Sequence, residues 1–447
     1  MNVPDPQDTN SQNHNDSMLD ARRAALIIIG SVLNARQPFD TVLEINQDFK
    51  QLDIRDRAFV RMMVTTALRR LGEIDAFIKR ASDKPDQNLQ PMLKNILRLG
   101  IVQILYLNVP DHAAVDTSVR LAENQGLSKF KGLVNALLRN IARSHGDWEE
   151  EIDPSRSDMP EWLLKMLEED YGAERADSIA RASLREAPLD ISVKSPEKAD
   201  QIARDIGGVK LWNGSIRLES AGQVHQLEGY DDGSWWVQDV AASLPVQIMG
   251  DIAGRDVIDL CAAPGGKTAQ LASAGAYVHS LDRSARRLER FMDNMRRLRL
   301  DKNVTPVSAD ASVWKPAEQA DAVILDAPCS ATGTIRRNPD IIHLKSQSDV
   351  LKMGEVQRNL LRNAADMVKP GGLLIYCTCS LQKREGEDQI DWFLSSDSRF
   401  QRVPVTADDL FGESFPITED GDIRTLPDML ADIGGMDGFF VARLARV

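Results

Sequence analysis

In the second half of the chain, short apolar runs alternate with segments of helical periodicity. Runs of this kind, separated by helices, are typical of a largely parallel sheet covered by helices on both faces. We therefore predict an α/β domain over residues 235–447. Its clearest strands are Asp256-Val257-Ile258-Asp259-Leu260, Ala276-Tyr277-Val278-His279-Ser280-Leu281, Ala322-Val323-Ile324-Leu325-Asp326 and Gly372-Leu373-Leu374-Ile375-Tyr376-Cys377.

The first third of the chain shows a different pattern. Apolar residues recur there at three- and four-residue spacing without strand-like alternation, which predicts an all-α domain over residues 20–146. Asp53 and the Pro110-Asp111 pair lie where helix starts are expected. Residues 1–19 are polar and lack the features of a signal peptide, so we expect a disordered tail. Residues 147–234 predict a small α/β module.

Length and charge restrict the class of protein. A chain of 447 residues is expected to form two or three domains. No apolar run is long enough for a membrane helix, so we expect a soluble, cytoplasmic protein. The net charge is −13, yet residues 21–145 contain 19 Lys and Arg against 12 Asp and Glu. A basic helical module joined to an acidic enzyme is the pattern that this asymmetry suggests.

The segment after the first strand of the α/β domain predicts a ligand-binding turn. It reads Asp259-Leu260-Cys261-Ala262-Ala263-Pro264-Gly265-Gly266-Lys267-Thr268. Glycines allow the backbone to approach a bound ligand closely. The segment is not a Walker A motif, because Cys261 stands where that motif requires its first glycine.

Two acidic residues follow the next strands. Asp282 ends the second strand, where a carboxylate accepts hydrogen bonds from ribose hydroxyls, so S-adenosylmethionine or NAD fits better than NADP. Asp310 ends the following strand and is a candidate contact for the adenine. The helix after Asp282 is rich in arginine. This pattern fits a helix that contacts a phosphate backbone, and it fits a solvated helix face equally well.

Two cysteines and a carboxylate are expected at the same edge of the sheet. Asp326-Ala327-Pro328-Cys329 ends one strand, and Cys377-Thr378-Cys379 ends a later one. No metal is expected, since no histidine cluster accompanies the cysteines. A thiolate that adds to carbon 6 of cytosine makes carbon 5 nucleophilic, and an acid such as Asp326 relieves the charge by sharing a proton with nitrogen 3. Cys261 and Cys377 are read as small buried apolar residues.

These motifs resemble those of the Sun/Fmu family of bacterial ribosomal RNA cytosine carbon-5 methyltransferases, and the helical region resembles the NusB fold. The strongest matches are the loop from Cys261 to Thr268, Asp326-Ala327-Pro328-Cys329-Ser330 and Thr378-Cys379-Ser380. The NusB-like motifs are Arg55-Asp56-Arg57, Leu97-Arg98-Leu99-Gly100 and the run from Lys131 to Arg139.

The resemblance implies specific roles. Cys379 is then the nucleophile, and Cys329 assists product release. The loop from Cys261 to Lys267 binds S-adenosylmethionine together with the strand-end acids Asp282, Asp310 and Asp326. It also implies a Rossmann-like methyltransferase domain preceded by an RNA-binding NusB-like domain. One departure is Ala331, which stands where the family usually has glycine.

The expected function is methylation of carbon 5 of a cytosine in 16S ribosomal RNA, through a covalent cysteine adduct. The partner is RNA, with no membrane and no metal, and a monomer is expected. Two alternatives stay open. One is the same chemistry on transfer RNA, and the other is a non-catalytic RNA-binding or ribosome assembly factor.

Overall fold

The computed structural model describes residues 6–83, 88–148, 151–219 and 222–447, without the side chains of residues 6–18 and 154. The chain forms two compact units, Met1–Lys165 with Asn338–Ser346, and Met166–Arg337 with Gln347–Val447. None of the described helices is both long and apolar enough to cross a membrane.

The first unit is helical where it is described, as predicted. Asp53 begins one helix as expected, since its side chain accepts a hydrogen bond from the backbone N–H of Asp56 at 2.7 Å. The helices are α1 (Pro6–Leu33), α2 (Phe39–Ile45), α3 (Gln47–Gln51), α4 (Ile54–Arg69), α5 (Leu71–Ala81), α6 (Pro91–Leu105), α7 (Asp111–Asn124), α8 (Lys131–Trp148), α9 (Pro154–Asp158), the start of α10 (Glu161–Tyr171), and α16 (Ile341–Leu344).

A single apolar core fills this helical unit. The apolar faces of its main helices contribute fully buried residues, among them Ile28, Met63 and Leu138. The packing around Gly100 is tight, since a Cβ there would lie 2.7 Å from the side chain of Leu138. Of the tail expected over residues 1–19, residues 1–5 and the side chains of residues 6–18 lie outside the described part of the chain.

The second unit contains a small sheet, which follows α11 (Ala173–Ser183) in the chain. Its strands are β1 (Leu189–Val193), β2 (Val209–Lys210), β3 (Ile216–Leu218) and β4 (Trp235–Val237), in the antiparallel order β2-β3-β1-β4. The region expected to form a small α/β module, residues 147–234, thus contains β1, β2 and β3, and the sheet also includes β4 beyond position 234. The buried pair of Asp190 and Arg217 holds β1 to β3 through two side-chain hydrogen bonds of 2.7 Å.

The main sheet of the second unit has the order β10-β12-β9-β8-β5-β6-β7, with β11 beside β12. Strands β5 to β9 are parallel, as predicted, whereas β10, β11 and β12 pair antiparallel at one side. The strands are β5 (Asp256–Leu260), β6 (Tyr277–Asp282), β7 (Val304–Ser308), β8 (Ala320–Asp326), β9 (Val368–Thr378), β10 (Phe400–Arg402), β11 (Ile423–Thr425) and β12 (Phe439–Arg446).

Helices cover both faces of this sheet and bury a core on each. Alternate residues of one strand face opposite sides, so Ile324 and Leu325 of β8 belong to different cores. The sheet is therefore the layered α/β architecture expected from the sequence. The remaining helices are α11 (Ala173–Ser183), α12 (Ala199–Ile206), α13 (Val240–Gln247), α14 (Gly266–Ser273), α15 (Ala285–Arg297), α17 (Gln347–Ala365) and α18 (Glu387–Ser396).

Candidate functional site

Every residue predicted for the site lies at one edge of the main sheet, where the parallel strands end. Ligands of such sheets bind beyond the carboxyl ends of the strands. Cys261 follows β5, Asp282 and Asp326 are the last residues of β6 and β8, and Cys379 follows β9. Asp310 comes two residues after the end of β7.

The turn from β5 into α14 has an unusual backbone. Cys261 has a φ of 65°, a conformation that costs a residue with a side chain about 1–3 kcal/mol. Gly265 has a φ of 113° and lies against Phe291, since a Cβ there would come within 2.6 Å of that ring. The turn therefore has a fixed conformation. It ends at the start of α14, whose first backbone N–H groups have no acceptor within the helix. Burial, together with the charge of Asp326, raises the pKa of Cys261 to about 12.

Asp282 is almost completely buried at the end of β6. One carboxylate oxygen accepts a hydrogen bond from the backbone N–H of Ser284 at 2.9 Å, and the other lies 3.1 Å from Arg287. Arg287 also donates a hydrogen bond to the backbone carbonyl of Ala263, so it connects the acid to the turn. Each carboxylate oxygen has two lone pairs, so Asp282 retains acceptor capacity for a ligand.

Asp310 is exposed and differs from Asp282. Its carboxylate accepts hydrogen bonds from the backbone N–H of Ser312 at 2.9 Å and from the Ser312 hydroxyl at 2.7 Å. These hydrogen bonds lower the pKa of Asp310. The carboxylate therefore stabilises the turn after β7, and its exposed side can meet a ligand.

Asp259 is an acidic residue that we assigned no role from the sequence. It is fully buried in β5, and Thr268 donates a hydrogen bond of 2.6 Å to one of its oxygens. The other oxygen is buried with no hydrogen-bond partner among the described residues. Burial raises its pKa to about 7. A buried acceptor without a partner is costly unless a ligand or water supplies a donor.

Lys267 and Asp326 form an ion pair, with 2.8 Å between Nζ and a carboxylate oxygen. Lys267 also lies over the ring of Phe439, 5.0 Å from its centroid. Burial alone would lower the pKa of Lys267, but the charge of Asp326 outweighs it and the pKa is raised. Lys267 is therefore a cation at neutral pH. The second oxygen of Asp326 lies 3.7 Å from the buried thiol of Cys377, whose pKa burial raises.

The thiols of Cys329 and Cys379 are neighbours, with 3.5 Å between their sulfur atoms. Both side chains are partly buried. The hydrogen bond to Cys379 and burial raise the pKa of Cys329 well above its ordinary value. At this distance the thiol of either cysteine can donate a hydrogen bond to the sulfur of the other.

The loop after Cys329 is tightly constrained. Ala331 has a φ of 60°, a left-handed backbone conformation that favours glycine over a residue with a side chain. Gly333 donates a backbone hydrogen bond of 2.9 Å to the carbonyl of Cys379 and accepts one of 2.9 Å from Gly438. A Cβ at Gly333 would lie 1.9 Å from the carbonyl oxygen of Gly438. Glycine is required at this position because two chain segments pass so closely.

The sequence motifs did not reveal two partners in this site. The pairing of Lys267 with Asp326 brings together residues 59 positions apart, and the motif around Lys267 suggested only cofactor binding. Glu385, a fully buried residue that accepts hydrogen bonds from Ser330 and Ser380, was not considered. In the sequence, Glu385 could be noticed only as a charged residue that comes shortly after Cys379, next to a buried strand.

Two family models match the chain. One, described as 16S rRNA methyltransferase RsmB/F, matches residues 248–445, and the NusB family model matches residues 19–143. The ribosomal RNA small subunit methyltransferase B of Vibrio cholerae is 33% identical over 393 residues, covering 84% of this chain and 89% of the relative. That of Serratia proteamaculans is 31% identical over 440 residues, covering 95% and 98%.

Solved structures share the fold. The crystal structure of PH0851 superposes with a TM-score of 0.74 at 24% identity and covers 99% of both chains. The crystal structure of NSun6 from Pyrococcus horikoshii with SFG gives a TM-score of 0.55 at 17% identity, covering 64% of this chain and 98% of the other. The α/β sheet and its surrounding helices are therefore an established architecture.

Proposed function

This chain belongs to the RsmB/F family of 16S rRNA methyltransferases, and from that premise we propose that it methylates carbon 5 of a cytosine in 16S ribosomal RNA. It is an S-adenosylmethionine-dependent methyltransferase by family, and its NusB-family segment fits an RNA substrate. The observation that carries the proposal is the juxtaposition of Cys329 with Cys379 at the sheet edge where Lys267 pairs with Asp326.

The turn after β5 and the acids around it fit S-adenosylmethionine. One buried oxygen of Asp259 has no hydrogen-bond partner among the described residues. An amine of a bound ligand or an ordered water would supply the missing donor. Asp282 would accept hydrogen bonds from the ribose hydroxyls, and Asp310 would meet the adenine. When bound, S-adenosylmethionine supplies an electrophilic methyl group. The chain's part is to hold that group beside the cysteines and to exclude water from it.

Cys379 is the proposed nucleophile. Carbon 5 of cytosine reacts poorly with an electrophile until a nucleophile adds at carbon 6, which makes the ring enamine-like. The Cys379 thiol gives up its proton, a bond forms between its sulfur and carbon 6, and the electron pair of the carbon 5–carbon 6 double bond moves into the ring, where nitrogen 3 takes up a proton. The neighbouring thiol of Cys329 stabilises the attacking sulfur by hydrogen bonding across the 3.5 Å between them.

Asp326 and Lys267 are proposed to stabilise the negative charge that the addition places on the ring. Nitrogen 3 of cytosine takes up a proton as the negative charge develops. Asp326 is the proposed group that shares this proton with nitrogen 3. The Lys267 ammonium, 2.8 Å from the Asp326 carboxyl group, remains charged and offsets the negative charge that develops there. Burial of Lys267 keeps water from competing for the same contacts.

Product release reverses the addition. Once carbon 5 carries the methyl group, a base removes the proton of carbon 5, and nitrogen 3 returns its proton to Asp326. The carbon 5–carbon 6 double bond re-forms, the bond between carbon 6 and the Cys379 sulfur breaks, and its electron pair returns to sulfur as a thiolate. Cys329 is the proposed group that assists this release, since its thiol lies 3.5 Å from the leaving sulfur and donates a hydrogen bond to it.

Bisulfite sequencing of RNA from cells with and without this protein tests the function. We expect one cytosine of 16S ribosomal RNA to lose its protection from deamination when the protein is absent, and to regain it when the wild-type chain is supplied. Loss of a transfer RNA signal instead would favour the transfer RNA alternative. No change in either RNA would overturn the proposed activity and favour a non-catalytic assembly factor.

A further inference from the structure

The carboxylate of Glu385 is surrounded by hydrogen-bond donors in the interior of the second unit. It is fully buried in the short turn Lys383–Glu385 that follows β9. One oxygen accepts from the backbone N–H of Ser330 at 2.9 Å and from Nε2 of Gln357 at 3.1 Å. The other accepts from the hydroxyls of Ser330 and Ser380, the latter at 2.6 Å. A buried carboxylate requires such donors to offset its lost hydration.

The serine donors belong to the two loops that carry the cysteines, whereas Gln357 lies in α17. Ser330 directly follows Cys329 at the end of β8, and Ser380 directly follows Cys379 at the end of β9. Glu385 thus holds both loops through a single carboxylate.

The backbone carbonyl of Glu385 fixes it to β9 in addition. It accepts hydrogen bonds from the Tyr376 hydroxyl at 2.8 Å and from the Thr378 hydroxyl at 3.3 Å. The backbone of Glu385 is fixed to β9, and its carboxylate binds Ser330 in the loop that follows β8. The separation of the two sulfur atoms therefore depends on Glu385.

We propose that Glu385 is the positioning residue of the thiol pair: through the loops that carry Cys329 and Cys379, it sets the distance between the two sulfur atoms. This inference rests on the proposed thiol chemistry. Glu385 is fully buried and its carboxylate contacts the serines that follow the cysteines, so it acts through the two cysteine loops.

An electrostatic effect accompanies this geometry. The hydrogen bond to Cys379, burial and the charge of Cys379 raise the pKa of Cys329, and the negative charge of Glu385 is a further cause in the same direction.

The test is Glu385→Gln in the full chain. Glutamine has nearly the same shape, but one oxygen becomes an NH₂ group that cannot accept hydrogen bonds from the serine hydroxyls. We expect kcat to fall about 100-fold, while KM for the RNA and the affinity for S-adenosylhomocysteine change by less than about threefold, because only the cysteine geometry is disturbed. An unchanged kcat would overturn the proposal, and so would a loss confined to KM.

A matched control is Asp422→Asn, which neutralises another buried carboxylate of the same unit. Asp422 pairs with Arg402 at 3.3 Å and has no contact with either cysteine loop among its described interactions. We expect this variant to keep wild-type kcat. An equal loss of kcat in Asp422→Asn and Glu385→Gln would reduce the role of Glu385 to general stability and overturn the proposal.

A second measurement needs neither RNA nor activity. Dibromobimane joins two thiols that lie close together and becomes fluorescent, and Cys329→Ala gives the background from other thiols. We expect the wild-type rate to fall several-fold in Glu385→Gln, or in Ser380→Ala if the glutamine variant does not fold. An undiminished rate would overturn the positioning role. An inactive wild-type protein that still cross-links would instead count against the proposed function alone.

Discussion

The sulfur atoms of Cys329 and Cys379 lie 3.5 Å apart, although 50 residues separate the two cysteines along the chain. Parallel pairing of β8 with β9 brings them together, since Asp326 lies beside Cys377 in the register of these strands. Two thiols at the same edge of the sheet allow two separate roles, in which one adds to the cytosine ring and the other assists release of the product.

The two cysteines are expected to fail in different ways. Cys379→Ala should abolish methylation, because no thiol remains to add to carbon 6. Cys329→Ala should accumulate RNA joined covalently to Cys379, visible as a retarded band on a denaturing gel. The double variant is the control and should give no such band. A retarded band with Cys379→Ala alone would exchange the two roles.

Removal of the Lys267 cation is expected to reduce kcat strongly. Lys267→Met keeps an unbranched apolar side chain beside Phe439 but leaves Asp326 without its cation, so we expect a loss of about 100-fold or more in single-turnover methylation. Lys369→Met is the control. It breaks a more exposed ion pair of similar length, 2.7 Å from Asp321 at the other ends of β8 and β9, and should leave the rate unchanged. Equal rates for both variants would contradict the role of Lys267.

Asp282 is expected to contribute to cofactor affinity. Asp282→Asn loses the negative charge that strengthens hydrogen bonds from ribose hydroxyls, so we expect affinity for S-adenosylhomocysteine to fall about 10- to 100-fold in calorimetry. Asp293→Asn changes an exposed carboxylate on α15 and serves as the matched control. An unaltered dissociation constant for Asp282→Asn would remove this residue from the cofactor site.

The loop after Cys329 is expected to respond in opposite directions to two small changes. Gly333→Ala places a methyl group 1.9 Å from the carbonyl oxygen of Gly438, so we expect it to destabilise the protein by about 1–3 kcal/mol and to lower activity. Ala331→Gly releases a left-handed residue and should stabilise the protein by about 0.5–1 kcal/mol. Urea unfolding measures both, and destabilisation by Ala331→Gly would refute the strain at this position.

The stability of the helical unit is expected to depend on pH through Asp158. One oxygen accepts a hydrogen bond from the backbone N–H of Glu73 at 2.8 Å, while the other is buried with no hydrogen-bond partner among the described residues. Burial raises the pKa of Asp158 to about 7. The folded state therefore binds this proton more tightly, and the resulting stability is present below about pH 4 and lost as the pH rises to about 7.

Asp158→Asn removes this dependence, because the amide stays neutral and its oxygen can still accept from Glu73. We expect the variant to be more stable than the wild type at pH 8 by on the order of 2 kcal/mol, with the difference shrinking at pH 5. Thermal unfolding at the two pH values measures it. Asp116→Asn, at an exposed position, should show no such trend. A constant difference across pH would rule out Asp158 as the cause.

Much of the fold was predictable from local patterns. The spacing of apolar residues distinguishes helices from strands because the two have different periods, and this separated the helical region from the α/β domain. The strand Asp256–Leu260 is present as predicted. The family membership suggested by the motifs around Cys261, Cys329 and Cys379 is confirmed.

Other features were not predictable. The strands β10, β11 and β12 add an antiparallel side to the sheet, and strand direction depends on pairing partners far away in sequence. The pairing of Lys267 with Asp326 also joins distant segments, and the sequence motif offered only cofactor binding for the lysine.

The sequence by itself determined which chemical groups follow which strands, because the order of thiols, acids and glycines along the chain is a local property. Only the tertiary structure decided which of those groups meet. The distance between Cys329 and Cys379 depends on the pairing of β8 with β9 and on the buried carboxylate of Glu385. Such contacts arise from the packing of segments that are remote in sequence, so no local pattern records them.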